Sequence, residues 1–194
     1  MPKIYTQEEK ERIRDSLREE ASKCLALYGV KRTTVDELIE RVDIPKGTFY
    51  LFYKNKEELF FDVLENFSSR IENMYLQMLQ ELDENHIVTS LTDVFTEIAL
   101  RIYKEGIFRF LSSNEMALIT RRLDENKVKN ATLMREEMIR NLFSYFSIDD
   151  EDDIASFTKG YEAILYTLLH ADKINEIEKT LRFLIRGLVL QMVE

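Results

Sequence analysis

The chain has 194 residues, of which 45% are hydrophobic and 32% charged, with a net charge of -9. This length suits one large or two small domains, and the composition is that of an ordinary globular protein. The 5 glycines and 2 prolines are few, which favours an all-α chain over one rich in turns and strands. No apolar run approaches the roughly 18 residues of a membrane span, and the N-terminus lacks a signal-peptide core, so we expect a cytoplasmic protein.

Apolar residues recur at helical spacing along almost the whole chain. They predict helices over residues 9–28, 35–42, 45–53, 56–82, 87–105, 108–123, 128–146, 154–168 and 174–193. The segment 108–123 can hold one helix or two shorter ones. The fourth helix would be about 40 Å long at ~1.5 Å per residue, and it would run from the first part of the chain into the second. The single cysteine, Cys24, excludes an internal disulfide and is expected to be a small buried apolar residue.

Residues at the predicted helix ends have the chemistry of caps. Gly29 suits the left-handed position that ends a helix, and Thr33 or Thr34 then caps the second helix. Thr34 is followed three residues later by a glutamate, which is the spacing of a capping box, and Asn55 has the same relation to a later glutamate. Asp43 lies at the break between the second and third helices, where it tolerates a left-handed backbone better than most residues other than glycine.

Residues 33–56 contain two short helices joined by a tight break, which is the arrangement of a helix-turn-helix. The segment 44–56 carries three lysines and no acidic residue. Such a local positive face can contact phosphates on an acidic chain, since the attraction acts over about 10 Å. Phe49 and Tyr53 are four apart and can face the core, which leaves the other side of the third helix outward.

Hydroxyls, lysines and a glycine on that outer side fit contacts with phosphates and base edges. The predicted DNA-binding residues are Thr33, Thr34, Lys46, Gly47, Thr48, Tyr50, Phe52, Lys54 and Lys56. Lys46 is the expected base reader, and Gly47 lets the backbone approach DNA closely. Mainly phosphate contacts are expected of Thr34, Thr48, Tyr50 and Lys56. The alternatives are solvated surface lysines, a core position for Tyr50 and threonines that only cap a helix.

Residues 13–64 resemble the DNA-binding domain of the tetracycline-repressor-type (TetR) regulators. The matching pieces are Gly29, Thr33-Thr34-Val35, Leu38-Ile39 and the segments 46–50 and 54–59. The resemblance covers about a quarter of the chain, and several spaced pieces are more specific than one isolated motif. The resemblance implies an N-terminal three-helix DNA-binding domain over residues 1–55. It also implies a helical effector-binding and dimerisation domain over residues 56–194, in a homodimeric repressor.

Two positions depart from the family pattern. The family usually has glycine in the turn, where this chain has Asp43. The positions of Leu51 and Phe52 are often polar or aromatic-basic in the family, and two apolar residues there leave Lys46 as the main cationic base reader. Phe52 of that pair can contact a thymine methyl group or pack on a sugar.

An effector pocket is expected between the fourth helix and the helices that follow it, because methionine and aromatic side chains line adaptable apolar pockets. The candidate residues are Met74, Met78, Phe95, Phe110, Met134, Met138 and Tyr166. Plain core packing is the alternative for each of them. His86 and His170 are isolated histidines near helix ends and are expected to be surface or capping groups.

The resemblance implies that the last two long helices pair with those of a second copy as a four-helix bundle. The apolar stripes of these two helices are nearly continuous, and a single DNA-binding domain contacts too few bases for useful specificity. The predicted dimer interface comprises Phe157, Tyr161, Ile164, Leu165, Leu168, Leu181, Leu184, Ile185 and Leu188. Purely intramolecular packing of the same stripes is the alternative.

The sequence therefore predicts a repressor that leaves a palindromic DNA operator when a small apolar or amphipathic effector binds. No cofactor, metal or membrane partner is expected. A helical enzyme is one alternative, but the sequence has no glycine-rich phosphate loop, and neither histidine follows a glutamate by three residues, as di-iron helical proteins require. A helical interaction module without DNA binding is the other, and the lysines and threonines of residues 33–56 argue against it.

Overall fold

The computed structural model describes residues 5–111, 113–144, 146, 148 and 150–193, and this part of the chain is helical without strands. The prediction of an all-α fold is confirmed. The α-helices are α1 Gln7–Arg32, α2 Val35–Val42, α3 Lys46–Phe49, α4 Lys56–Gln80, α5 Ile87–Lys104, α6 Ile107–Leu111, α7 Met116–Thr120, α8 Glu125–Ser144, α9 Glu151–Tyr166 and α10 Ile177–Val193. Two 3₁₀ helices span Glu84–His86 and Thr167–Lys173. Among the described helices, none combines the length and apolar character that crossing a bilayer requires.

The chain forms two compact units. The first comprises residues 1–68 together with residues 113–128, and the second comprises residues 69–112 and 129–194. The first unit therefore extends beyond the predicted boundary at residues 55 and 56 and takes in a later segment that contains α7. Helix α4 continues from one unit into the other as a single helix.

The core of the first unit forms where α2 packs on α1 and α3 packs on α2. Its fully buried side chains include Leu17, Cys24, Leu38, Phe49, Leu59 and Phe60. Cys24 is a buried free thiol, as the sequence predicted, and burial raises its pKa. The apolar periodicity of four successive helices thus places residues 45–53, called the recognition segment below, on a packed base.

The core of the second unit is built mainly where α10 packs along α5, with α9 against α10. Its buried residues are Tyr75, Leu79, Leu91, Val94, Phe95, Ile98, Ala99, Leu100, Phe108, Leu165, Leu168, Leu181, Ile185 and Val189. Gly160 permits the close approach of α9 and α10, because a Cβ there would lie 2.9 Å from the Leu188 side chain. Thr92 and Thr96 are buried, and each hydroxyl donates to the carbonyl four residues earlier.

Candidate nucleic-acid interface

The break between α2 and α3 is made by a left-handed aspartate. Asp43 has φ 54° and ψ 52°, as the sequence predicted for this position. The Asp43 N–H donates to the Glu40 carbonyl at 3.3 Å, and the Ile44 N–H donates to the Ile39 carbonyl at 3.0 Å. These two bonds form a Schellman motif, which satisfies carbonyls at the end of α2. The turn thus forms without glycine and redirects the chain into α3.

Helix α3 is shorter than the predicted segment 45–53. Regular helix covers Lys46–Phe49, with Pro45 as its N-cap. The N–H groups of Leu51 and Phe52 then donate to carbonyls three residues earlier, at 3.1 and 3.0 Å. These tighter turns continue the helical path towards Tyr53. Phe49 and Tyr53 are both buried, as predicted.

One side of this segment is open to solvent and is called the reading face below. It comprises Thr34, Lys46, Gly47, Tyr50, Leu51 and Lys54, all of them exposed. The Thr34 hydroxyl caps α2 by accepting from the Glu37 N–H at 3.1 Å. Nothing lies within 4 Å of the position that a Cβ on Gly47 would take, so a ligand can approach this backbone. Five of the nine predicted DNA-binding residues therefore lie on an accessible surface.

Lys46 makes an ion pair across the reading face. Its ammonium lies 2.8 Å from Oδ1 of Asp36, and both side chains are more than half exposed. The hydrogen bond to Asp36 raises the pKa of Lys46. An exposed pair of this kind contributes less than about 1 kcal/mol, so a DNA phosphate or guanine edge can replace Asp36 as the partner of Lys46.

The four remaining predicted DNA-binding residues turn inward, and the expectation for them needs correction. Thr33 is fully buried, and its hydroxyl donates to the Gly29 carbonyl at 2.9 Å. Thr48 is buried, with its hydroxyl 3.1 Å from the Tyr5 hydroxyl. Phe52 is half-buried, with the Arg14 guanidinium 5.6 Å from its ring centroid. These side chains support the reading face from behind.

Lys56 joins helices within the first unit. Its ammonium donates to the carbonyls of Val30 and Thr33, each at 2.7 Å. A cation at the carbonyl end of a helix is favourable both as a donor and against the helix dipole. The structure therefore gives Lys56 a role at the end of α1, where the sequence suggested a phosphate contact.

The junction between α1 and α2 depends on a glycine. Gly29 has φ 75°, a region that residues with a Cβ rarely adopt. The next N–H, of Val30, donates to Oε2 of Glu115 at 2.7 Å. A Cβ on Gly29 would lie 2.4 Å from that same oxygen. Glu115 belongs to the later segment of the first unit, so a distant part of the sequence completes the end of α1.

A second support ties α1, the end of the recognition segment and α4 together. Arg18 donates two hydrogen bonds to Asp62, from Nε at 2.8 Å and from Nη2 at 3.0 Å. The Tyr53 hydroxyl donates to Oδ2 of the same carboxylate. Burial alone would raise the pKa of Asp62, but the hydrogen bonds from Arg18 and Tyr53 outweigh it and the pKa is lowered. Burial and the bond to Asp62 raise the pKa of Tyr53.

Two exposed basic residues adjoin the reading face in sequence, and the sequence interpretation missed them. Lys31 and Arg32 occupy the last turn of α1, immediately before the cap of α2. The signal that could have found them is their position, because residues beside a helix N-terminus are well placed for a bound phosphate.

The predicted effector residues are partly brought together in the second unit. Phe95 belongs to its core, and Met74, Met78 and Met138 pack against that core. The rings of Phe95 and Phe157 have centroids 5.4 Å apart. Phe110 is also buried.

Two of the predicted effector residues lie apart from the others, on the surface. Met134 is 69% exposed and lies outside the core cluster. Tyr166 is also exposed, with its ring edge against Phe108 at 5.6 Å between centroids. Among the described residues, no group of three or more His, Cys, Asp or Glu side chains could hold a metal ion.

Most of the predicted dimer residues face the core of their own unit. Buried residues of this set are Leu165, Leu168, Leu181 and Ile185. Partly buried residues packed against the same core are Phe157, Tyr161 and Ile164. Leu188 is half-buried against Gly160, and Leu184 alone of the nine is classed as exposed. The dominant apolar stripes of α9 and α10 thus pack largely within the chain, and the dimer interface stays a prediction.

The match to a known protein family lies within the first unit. A family model described as bacterial regulatory proteins of the tetR family matches residues 17–63. The Bacillus subtilis (strain 168) protein YhgD, an uncharacterized HTH-type transcriptional regulator, is 26% identical over 145 residues, which cover 71% of this chain and 67% of YhgD.

Two solved structures share the fold along nearly the whole chain. FadR of Bacillus halodurans, a fatty acid degradation regulator, superimposes with a TM-score of 0.64 at 12% identity, covering 96% of this chain and 97% of that one. A Clostridium perfringens regulator, provisionally assigned to fatty acid metabolism, gives 0.58 at 21% identity and covers 92% and 96%.

A helix-turn-helix with an open reading face, carried by an all-helical chain, defines a DNA-binding transcriptional regulator. The family model covers most of α1, all of α2 and α3 and the start of α4, which are the elements that form and support this face. Residues 17–63 of the chain are thus similar to the DNA-binding part of the tetR family of regulators.

Proposed function

We propose that the chain acts as a homodimeric repressor that a small apolar or amphipathic effector releases from a palindromic operator. The observation that carries the DNA part is the reading face. Lys46, Gly47, Tyr50 and Lys54 are exposed there, while Phe49 and Tyr53 anchor the same segment from inside. A rigidly supported segment with exposed cations, a hydroxyl and an open glycine suits entry into a major groove.

A second copy of the chain is the proposed partner for the outer side of α10. Phe183 is 78% exposed, and Leu184 and Leu190 are also exposed. Gly187 lies between them on the helix with open space around it. The spacing 183, 184, 187 and 190 forms one helical stripe. A twofold interface through this stripe would present two reading faces to half-sites about 34 Å apart or somewhat more.

The second unit is the proposed effector-binding part. Met74, Met78 and Met138 beside Phe95 give an apolar region whose side chains can adjust to a guest. Two proteins of the same fold are described as regulators of fatty acid degradation or metabolism. Fatty acids are therefore the first effectors to test.

Release follows from a shift between two states of the dimer. In one state, the spacing of the two DNA-binding domains does not match two successive major grooves. The effector binds better to this state, so the population of this state rises. Helix α4 continues from the first unit into the second, so it is the proposed carrier of the shift.

A mobility-shift titration tests the repressor proposal. The probe is the duplex upstream of the protein's own coding region, with free fatty acids of increasing chain length and a simple phenol as candidate effectors. The expected result is a salt-sensitive complex that one apolar class dissociates, with about 5- to 150-fold loss of affinity. Binding that no class changes would leave DNA recognition standing and refute the effector part.

Sedimentation analysis tests the dimer independently. Phe183→Glu is expected to shift the protein to monomer, because it places a charge in the proposed apolar interface. Leu133→Glu is the matched control, because Leu133 is an exposed leucine on α8. A Phe183→Glu variant that stays dimeric would exclude this stripe as the interface.

A further inference from the structure

The adjacent apolar residues Leu51 and Phe52 have different surroundings. Phe52 is half-buried, and the Arg14 guanidinium covers its ring. Leu51 is 67% exposed and lies on the reading face. An isolated exposed leucine needs no explanation on an ordinary surface. On a surface that enters a DNA groove, it determines which base edge can lie against it.

The backbone holds Leu51 at a defined place. Its N–H donates to the Thr48 carbonyl at 3.1 Å, and the turns on either side are bonded in the same way. Tyr50, the preceding residue, rests its ring edge against the buried Phe49 at 5.3 Å between centroids. The side chain of Leu51 therefore projects from a fixed base, which is a requirement for selective contact with one base.

The chemistry of the major groove limits what a leucine can recognise. Guanine, adenine and cytosine present hydrogen-bonding groups there, and thymine adds a C5 methyl group. Leucine has no donor or acceptor, so placing it over a polar edge removes water from that edge without replacing the hydrogen bonds. A thymine methyl is the apolar partner that the groove offers.

We propose that Leu51 is a specificity-determining residue that contacts the C5 methyl group of a thymine in each operator half-site. This inference rests on the proposed entry of the reading face into the major groove. Lys46 and Tyr50 can bond to polar groups on DNA, whereas Leu51 selects by methyl contact alone. The half-site position under Leu51 then favours thymine over cytosine and over uracil.

The test removes the methyl group from DNA and the leucine from the protein. A duplex is first selected from a random pool by the full-length wild-type protein, and each thymine is then replaced singly by uracil. At one thymine per half-site, affinity of the wild type is expected to fall about fourfold, the worth of one buried methyl-sized group. For Leu51→Ala, the thymine and uracil duplexes are expected to bind equally at that position. Cytosine in place of the same thymine should weaken binding of the wild type, and 5-methylcytosine should restore part of that affinity. For Leu51→Ala, the 5-methyl group should restore none.

Leu27→Ala is the matched control, because Leu27 is 69% exposed in the same unit and lies on α1, outside the reading face. It should keep the discrimination between thymine and uracil. Equal loss of affinity on thymine and uracil duplexes in Leu51→Ala would assign Leu51 to sugar or backbone packing and overturn the inference. Unchanged discrimination in Leu51→Ala would overturn it as well. Selection of no sequence by the wild type would refute the DNA interface itself.

Discussion

The first unit has two sides that hold their polar groups in different ways. On the reading face, Lys46 meets Asp36 in an exposed pair that DNA can displace. On the inner side, Asp62 accepts two bonds from Arg18 and one from Tyr53, and these groups are partly buried. The difference separates two kinds of residue. Inner residues fix the position of the recognition segment, and outer residues remain available to a partner.

The largest effect is expected on the inner side, at Asp62. Asp62→Ala leaves the Arg18 charge and the Tyr53 hydroxyl without their shared acceptor. Loss of one partner from this partly buried pair should cost about 3 kcal/mol. Urea unfolding of the variant should show that loss. Asp36→Ala, which removes an acid from the exposed pair, should stay within about 0.5 kcal/mol of wild type.

The pH dependence of stability follows from the same carboxylate. Because the folded pKa of Asp62 is lowered, its contribution is fully present above the unfolded value of about 4. That contribution is lost as pH falls from there through the folded pKa. Between pH 5 and pH 3, stability should therefore fall less in Asp62→Asn than in wild type. Parallel curves for the two proteins would contradict this assignment.

The second largest effect is expected at the α1–α2 junction. Gly29→Ala combines a positive φ with a clash against Glu115, and a loss of about 2 kcal/mol is expected. In a Glu115→Ala background the clash is absent, so the cost of Gly29→Ala should become smaller. A double-mutant cycle by thermal unfolding measures this coupling. Gly47→Ala is the control, because open space surrounds Gly47 and stability should not fall.

Lys56, which begins α4, and Lys54 just before it should separate stability from DNA binding. Lys56→Ala removes two charge-assisted bonds to carbonyls, and about 1.5 kcal/mol of stability should be lost. Lys54→Ala changes an 88% exposed side chain and should leave stability within about 0.5 kcal/mol. Its effect should be seen in DNA affinity. Equal stability of the two variants would refute the junction role of Lys56.

The smallest effect is expected at the turn of the helix-turn-helix. Asp43 adopts the left-handed conformation without being glycine. Asp43→Gly should remove that steric cost and raise stability by about 0.5 kcal/mol. Asp43→Ala should lower stability, because alanine has neither the freedom of glycine nor a polar side chain that can bond locally. Thermal unfolding of the three proteins gives the order directly.

Features set by neighbouring residues were predictable from the sequence. The cap at Thr34, the left-handed Asp43 and the inward Phe49 and Tyr53 follow from local hydrogen bonding and helical spacing. The same reasoning correctly left Lys46 outside. These are contacts within one or two turns of the chain, where spacing alone limits the geometry.

Contacts between distant residues were not predictable in the same way. The partner of Arg18 is 44 residues away, and the Glu115 carboxylate that binds the Val30 N–H is 85 residues away. Helical periodicity also shows which face is apolar without showing what covers it. For that reason the main stripes of α9 and α10 were assigned to a dimer, whereas Leu181 and Ile185 are in the core.

The salt dependence of DNA binding tests directly whether the reading face contacts DNA. Affinity for the selected duplex is measured at several salt concentrations for wild type and for the variant carrying Lys46→Ala and Lys54→Ala. Each lost phosphate contact should reduce the slope of log affinity against log salt by about 0.9. The double variant is expected to show a shallower slope and at least about tenfold weaker binding at low salt, with unchanged unfolding. A folded double variant with the slope and affinity of wild type would contradict contact of the reading face with DNA.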